Sequence, residues 1–440
     1  MMMRNKRGSV TIYVLLFFLT MVSMLMTFIS VSKTLAVEGV AGELGLLWSE
    51  SILAEYDRNL FDRYGIFAFY GTERSVERKL DGYAGDSFGD KAYIDYEGAH
   101  CDLYDTRLRC IKEMKKQVVS CGKMSVLGEL AKKPSAIVPL EGAEKGGAIL
   151  EDLPSEGCGG SFKTEQLVDL VKNGRGLSGI LKEGTDPFFE NRYLMTYFKN
   201  GMSDHDLGQT HWQLEAEYVI CGKKDDEENR KAMKRRIVGI RFALNMWYLM
   251  NDPERSAETL AAAELLTPGP AALATQKALE SAWSMAESIN DYKLLINGRK
   301  VPLLKARNSW AISLENITKK ATVSKPANHE NTGGTDTETG SGTDAETGDE
   351  SQPTVTFPEE APLIDMDNPY GENYEEYLSL MAYLMDENVK LLRMMDLIQI
   401  NMREQYYGGF RIADYNTGVH AVLRINGKDY AVQKEYQPKE

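Results

Sequence analysis

Histidine is scarce in this chain, cysteine is thinly spread, and positive charge is in deficit. Among 440 residues there are five histidines and five cysteines. Cys101, Cys110, Cys121, Cys158 and Cys221 form no CxxC pair and no zinc-type cluster with the histidines, so the spacings of metal centres are not met. No metal and no cofactor is expected. An odd number of cysteines over so long a chain is also unlike a disulfide-built secreted scaffold. The thiols read as small buried hydrophobes, with one bridge, Cys101–Cys110, left open. Lysine and arginine total 51 against 65 aspartates and glutamates, a net charge of −14 that repels phosphate backbones and argues against nucleic acid as a partner.

Signatures of catalysis are missing as well. No GxSxG, HExxH, P-loop or dinucleotide-binding glycine pattern occurs, and GCGGSF at 157–162 lacks the lysine and helix context that phosphate binding needs. The best remaining candidate is SDHDLGQTH, where His205 and His211 lie near Asp204 and Asp206. A six-residue separation fits neither an i, i+4 metal pair nor a triad, so these histidines are expected to be bystanders and the chain not to be an enzyme.

What the chain does have is an uncharged run from Ser9 to Ser32, preceded by Arg4, Lys6 and Arg7 and ended by Lys33. As a helix it would be ~36 Å long, enough to cross a hydrocarbon core of ~30 Å. It is too long for the apolar region of a cleavable signal, and Thr34-Leu35-Ala36 is a poor cut site. Basic residues in front and an acidic chain behind place residues 1–8 in the cytosol as a stub or leader and the bulk outside. Such a stub offers no inward-signalling domain. Thr20, Ser23, Thr27, Ser30 and then Thr34 follow 3-4 spacing, one face of a helix. Two readings stand for this stripe: a face for packing against neighbouring membrane helices, or hydroxyls bonded to their own helix's carbonyls. The spacing continues through Val37, Ala41, Leu44 and Trp48, where the face turns apolar. Gly39, Gly42 and Gly45 each cost about 1 kcal/mol in a helix interior and predict a kink. Helical spacing then runs to about Leu60, Gly65 breaks it, and Ile66 to Tyr70 suits a strand that closes a 33–72 extension.

A mainly helical body is expected over 73–321, with helices near Cys101–Val119, Thr164–Lys172, Asn229–Met250, Glu254–Leu266 and Ala271–Ile289. Arg230, Lys231, Lys234, Arg235 and Arg236 make the third of these basic, but Asp225 to Glu228 neutralise much of that charge, and its apolar end FALNMWYLM reads as core. An acidic tether is expected over 322–362. Within it Ala327–Pro362 holds nine acidic residues, no lysine or arginine, and the near-repeat TDTETG and TDAETG, and it cannot bury a core. Residues 363–440 should form a helix and β-hairpins. Tyr377, Met381, Leu384, Asn388, Leu391, Met395, Ile398 and Met402 keep 3-4 spacing, a seam for a partner helix or for the domain's own core, with Asn388 placed to fix register. FRIADYNTGVHAVLRINGKDYAVQKEY alternates as strands do, with Asn426-Gly427 a hairpin turn.

A basic residue, a glycine and an immediate hydrophobic helix also form the layout of type IV pilin-like leaders, in which the cut falls after the glycine, here between Gly8 and Ser9. RGSVTIYVLLF resembles the start of TadE/TadG-like proteins of the tight-adherence (Flp) pilus system. With SESILAEYDRNLFDRYGIF, NRYLMTYFKN, EAEYVICGKK, NRKAMKRRIVGIRFALNMWYLM, SAWSMAESINDYKLLINGRKVPLLK and EEYLSLMAYLMDENVKLLRMMDLIQINM, the chain resembles domain-of-unknown-function family 5702. Two departures bear on what carries over. The fifth residue after the cut is Tyr13 where pilin-type leaders carry glutamate, and the DxSxS metal motif of some TadG-like relatives does not occur.

The expected fold class is therefore α+β: a long N-terminal transmembrane helix, over 9–32, continuing into a mainly helical extracytoplasmic body with small antiparallel sheets. The resemblance implies a non-enzymatic, pilin-like or assembly component of a Tad-type pilus apparatus in the cell membrane. Its partners would be lipid and other pilin-like or Tad secretion-apparatus membrane proteins. The alternatives are an anchored envelope binding protein unrelated to pili and, behind it, an ectoenzyme built around His205 and His211.

Overall fold

The computed structural model describes residues 7–89, 93–126, 147–160, 162–163, 165, 184–202, 208–320, 362–366 and 368–436. The fold is α+β, mostly helical with small antiparallel sheets. It comprises two compact units, residues 1–154 with 398–440 and residues 155–397. The first unit thus joins the two ends of the chain, and the divide falls at Pro154 and within a C-terminal helix rather than in the acidic tract. That tract lies outside the described residues apart from Pro362, as does the expected helix Thr164–Lys172 apart from Glu165.

In the first unit, α1 spans Arg7–Leu53 without interruption, 47 residues and roughly 70 Å. The helical hydrogen-bond pattern runs on through Gly39, Gly42 and Gly45, the positions at which the sequence predicts a kink. Helix α2, Arg58–Tyr64, is a separate element. Asp57 caps its start by accepting from Asn59 N at 2.9 Å and Leu60 N at 3.1 Å, and Gly65 ends it in the left-handed region at φ 68°. The expected strand Ile66–Tyr70 shortens to β1, Phe69–Tyr70, which pairs with β3, Tyr415–Asn416.

Helix α3 spans Glu73–Phe88. Cys101, expected to open a helix, lies instead in strand β2, Tyr96–Asp102, and the helix starts ten residues later as α4, Ile111–Val126. Strand β2 pairs with β4, Gly418–Ile425, placing Cys101 opposite Ala421. Strands β4 and β5, the latter Lys428–Glu435, form the expected hairpin, with Asn426 at φ 51° and Gly427 at φ 71° supplying the turn.

The second unit is helical: α5 Asp186–Tyr197, α6 Glu215–Cys221, α7 Asp226–Asn251, α8 Pro253–Leu266, α9 Ala272–Ile296, α10 Leu314–Lys320 and α11 Tyr374–Leu384. Helix α12, Glu387–Gln405, begins in this unit. Asp225 caps α7 by accepting from Glu228 N at 3.0 Å, and Asp252 caps α8. The core centres on Trp283, with Leu249, Leu279 and Ile317.

Candidate functional site

Helix α1 divides along its length. No residue from Thr11 to Ala36 is buried, and its large side chains stand clear of the protein: Phe17 is 71% exposed and Phe28 69%. It is the one described helix long and apolar enough to cross a membrane. Gly8 and Ser9 fall inside its first turns. Of the hydroxyl stripe, Thr20 donates to Phe17 O at 2.8 Å, Thr27 to Ser23 O at 2.9 Å and Thr34 to Ser30 O at 3.0 Å. These threonines bond their own helix, while Ser23 and Ser30 supply carbonyl acceptors on the same exposed face.

From Val37 onward the same helix packs against the first unit. Val37, Ala41, Trp48 and Ile52 are buried against Leu423, Ile425 and Val432 of the sheet, with Leu44 partly buried beside them. Trp48 also meets Phe88 of α3 edge-on, with ring centroids 5.5 Å apart. Side chains of this size each contribute about 1.5–3 kcal/mol on full burial, so the extension is held firmly to the sheet. Gly45 permits the approach. A Cβ there would lie 2.5 Å from Val432 Cγ2, whereas nothing lies within 4 Å of one at Gly39 or Gly42.

The seam residues are distributed over two helices. Tyr377, Met381 and Leu384 are buried on α11, and Leu391, Met395, Ile398 and Met402 on α12, but Asn388 is exposed. It is not a register-fixing residue. Its backbone N–H donates to the Asp386 carboxylate at 2.9 Å, because Asp386 caps α12 and breaks the seam after Leu384.

Tyr377 belongs to a buried ionic cluster that its 3-4 spacing does not reveal. Arg241 donates to Asp291 at 2.9 Å, to the Pro302 and Leu303 carbonyls at 2.9 and 2.7 Å, and to the Tyr377 hydroxyl at 3.2 Å. Lys305 bridges Asp291 at 2.6 Å and Glu287, which also accepts from the Ala311 and Ile312 N–H groups at 2.8 Å. Burial pushes the Asp291 carboxyl up, but Arg241 and Lys305 outweigh it and hold the group below its ordinary range. At Glu287 burial wins over Lys305 and the net direction is upward. Two cations and two carboxylates compensate one another, so the cluster staples 300–312 to α7 and α9. The sequence signal was an arginine and an aspartate set inside apolar helical faces, where a charge needs a partner.

Among the described residues no cation pairs with Glu217. Its Oε1 accepts from Gly201 N at 2.9 Å and from the Tyr374 hydroxyl at 3.0 Å, and its Oε2 is buried without a hydrogen bond. Burial pushes its carboxyl up to about 7.

The histidine pair is not assembled into a site by the described residues. His211 is half-buried, edge-on to Trp212 at 5.1 Å, and Asp204, His205 and Asp206 lie outside the described residues. Among the described residues no three His, Cys, Asp or Glu side chains gather as metal ligands. All five cysteines are free thiols, so the bridge left open between Cys101 and Cys110 is not formed. On α7, Glu227 pairs with Arg230 at 2.9 Å and Lys231 at 3.7 Å. Its apolar end is only partly core: Leu244 and Leu249 are buried, whereas Trp247 and Met250 face solvent.

Neither a curated protein nor a solved structure matches the chain. A family model does, over residues 149–342 and 357–427, and on that extent the chain belongs to the family of unknown function DUF5702.

Proposed function

We propose that this chain is a single-pass, non-enzymatic membrane protein. Its N-terminal end faces the cytosol and the chain beyond the span is displayed on the other side, where it acts as a pilin-like or assembly component of a Tad-type surface apparatus. The observation that carries the anchoring is the change of environment along α1, apolar and exposed from Ile12 to Val31 and packed on a sheet from Val37 to Leu53. Arg4, Lys6 and Arg7 ahead of the span favour the stated orientation. One unbroken helix running from span to body suits a subunit that passes lateral membrane contacts on to an external domain. The resemblance of RGSVTIYVLLF to TadE/TadG-like proteins supplies the apparatus.

The intact mass of membrane-extracted protein tests this. A chain starting at Ser9 supports pilin-type processing, and a chain starting at the initiator methionine supports an unprocessed anchor. A soluble product starting at Val37 overturns the anchoring. Tyr13, at the position where pilin-type leaders carry glutamate, favours a second reading in which the same anchor serves an envelope binding protein outside any filament.

A further inference from the structure

Where α7 meets α8 the second unit carries an open groove of about 620 Å³, within the ~300–1,000 Å³ range of small-molecule sites. The last turns of α7 contribute Trp247, Tyr248 and Asn251, the start of α8 contributes Glu254, and the turn at Arg307–Ser309 contributes Arg307. Tyr248 is held in place. Its hydroxyl donates to Asp252 at 2.8 Å, and its ring lies 5.7 Å from Trp310, itself 5.1 Å from the buried Trp283. Trp247, in contrast, is 40% exposed, a large aromatic surface left in water beside a fixed one.

The charged groups in the groove are already bonded, with two carboxylates, Asp252 and Glu254, to one cation, Arg307. Asp252 accepts from Glu254 N at 3.0 Å and Arg255 N at 3.1 Å as well as from Tyr248. Arg307 pairs with Glu254 and, at 2.9 Å, with Glu258. An anion is therefore repelled, and a cation would have to compete for carboxylates that are already hydrogen-bonded or paired. What remains is apolar ring surface beside Asn251, whose amide nitrogen donates to Trp247 O at 2.7 Å and leaves its carbonyl oxygen to accept, and beside the Glu254–Arg307 pair, planar groups with further donor and acceptor positions at their edges. This complements a pyranose, whose C–H faces stack on aromatic rings while its neighbouring hydroxyls both donate and accept.

We infer that the groove binds an uncharged oligosaccharide, with Trp247 as the stacking platform and Asn251, Glu254 and Arg307 bonding to sugar hydroxyls. That the natural glycan belongs to the cell surface rests on the outward display proposed above, but the binding itself does not. The test is saturation-transfer NMR on the full chain in lipid nanodiscs, free of glycosidic detergent, with cellohexaose and chitohexaose as probes. Saturation reaches the sugar ring protons of at least one probe. Trp247→Ala weakens that binding about tenfold, Trp247→Phe retains it, and Tyr70→Ala, at an exposed aromatic of the first unit, leaves it unchanged. No transfer to either probe, or transfer undiminished in Trp247→Ala, overturns the inference. Because the assay reads binding without reference to topology, its failure leaves the anchoring proposal standing, and failure of the anchoring leaves the groove standing.

Discussion

Gly45 of α1 faces Val432 of β5 so closely that a Cβ added at Gly45 would stand 2.5 Å from Val432 Cγ2 and 3.0 Å from Leu423 Cδ1. The absence of a side chain at one position of the helix thus sets how near the anchor's extension comes to the sheet.

Gly45→Ala should accordingly destabilise the first unit by ~1–3 kcal/mol, the usual cost of overpacking. Gly42→Ala, where the added carbon meets nothing within 4 Å, should stabilise by up to about 1 kcal/mol through helix propensity alone. Urea midpoints of the two variants, shifted in opposite directions from the parent, check the pair of expectations.

Glu217 should make stability depend on pH. Its carboxyl is raised from the ordinary 4.5 to about 7 because it is buried, so the folded state keeps a proton that the unfolded chain has lost. The contribution is whole below about 4.5, declines as pH climbs towards about 7, and is gone above that. The decline amounts to ~3–4 kcal/mol at 1.36 kcal/mol per pKa unit. Burial also raises the Glu287 and Asp396 carboxyls, so they add a slope of the same sign. Glu217→Gln cannot ionise and should reduce the slope by the share of Glu217. Thermal unfolding across that window reads the difference between parent and variant, and an identical slope in the two rules out Glu217 as a contributor.

Removing Lys305 should be costly. Lys305→Met leaves Glu287 and Asp291 buried with their shared cation gone, and breaking such a pair costs ~3–5 kcal/mol. The loss should appear as a lower unfolding midpoint. An unchanged midpoint would mean the ammonium contributes nothing net to the staple.

How much of this was legible in the sequence depended on where each element finds its partner. The register of α1 was readable at Val37, Ala41 and Trp48 because an amphipathic helix announces its buried face locally. Asn426-Gly427 was readable for the same reason, since the turn needs two positive φ angles. Strand β2 was not: YEGAHCD lacks clean alternation, and its pairing with β4 joins residues more than three hundred positions apart, as at Cys101 and Ala421. The break at Met385–Asp386 was hidden because seam spacing carries across it by chance, although Asp386 before Glu387 is an N-cap signature. Arg241, Asp291 and Lys305 are far apart in sequence, and only the fold shows that they meet.

The hydroxyl stripe gives a membrane expectation. If its face packs on neighbouring helices, replacing Thr20, Ser23, Thr27 and Ser30 with leucine should reduce cross-linking to membrane partners while leaving membrane extraction unchanged. The back-bonds of Thr20 and Thr27 offer the competing outcome, in which recovery of partners is the same as in the parent and the stripe serves only its own helix.

The most direct measurement of the central claim uses the chain's own thiols. Cys158 is exposed, whereas Cys101, Cys121 and Cys221 are buried and their thiols are pushed up to about 12, 12 and 11 by that burial, which keeps them unreactive. Cys110 is only partly buried, so the measurement is made in a Cys110→Ser background. There a membrane-impermeant maleimide should label Cys158 on intact, wall-stripped cells, with the signal lost on adding Cys158→Ser. A cysteine placed ahead of the span by Asn5→Cys, with Cys110 and Cys158 both replaced by serine, should react only after the membrane is opened. Labelling of that cysteine on intact cells, with Cys158 protected until permeabilisation, would contradict the account.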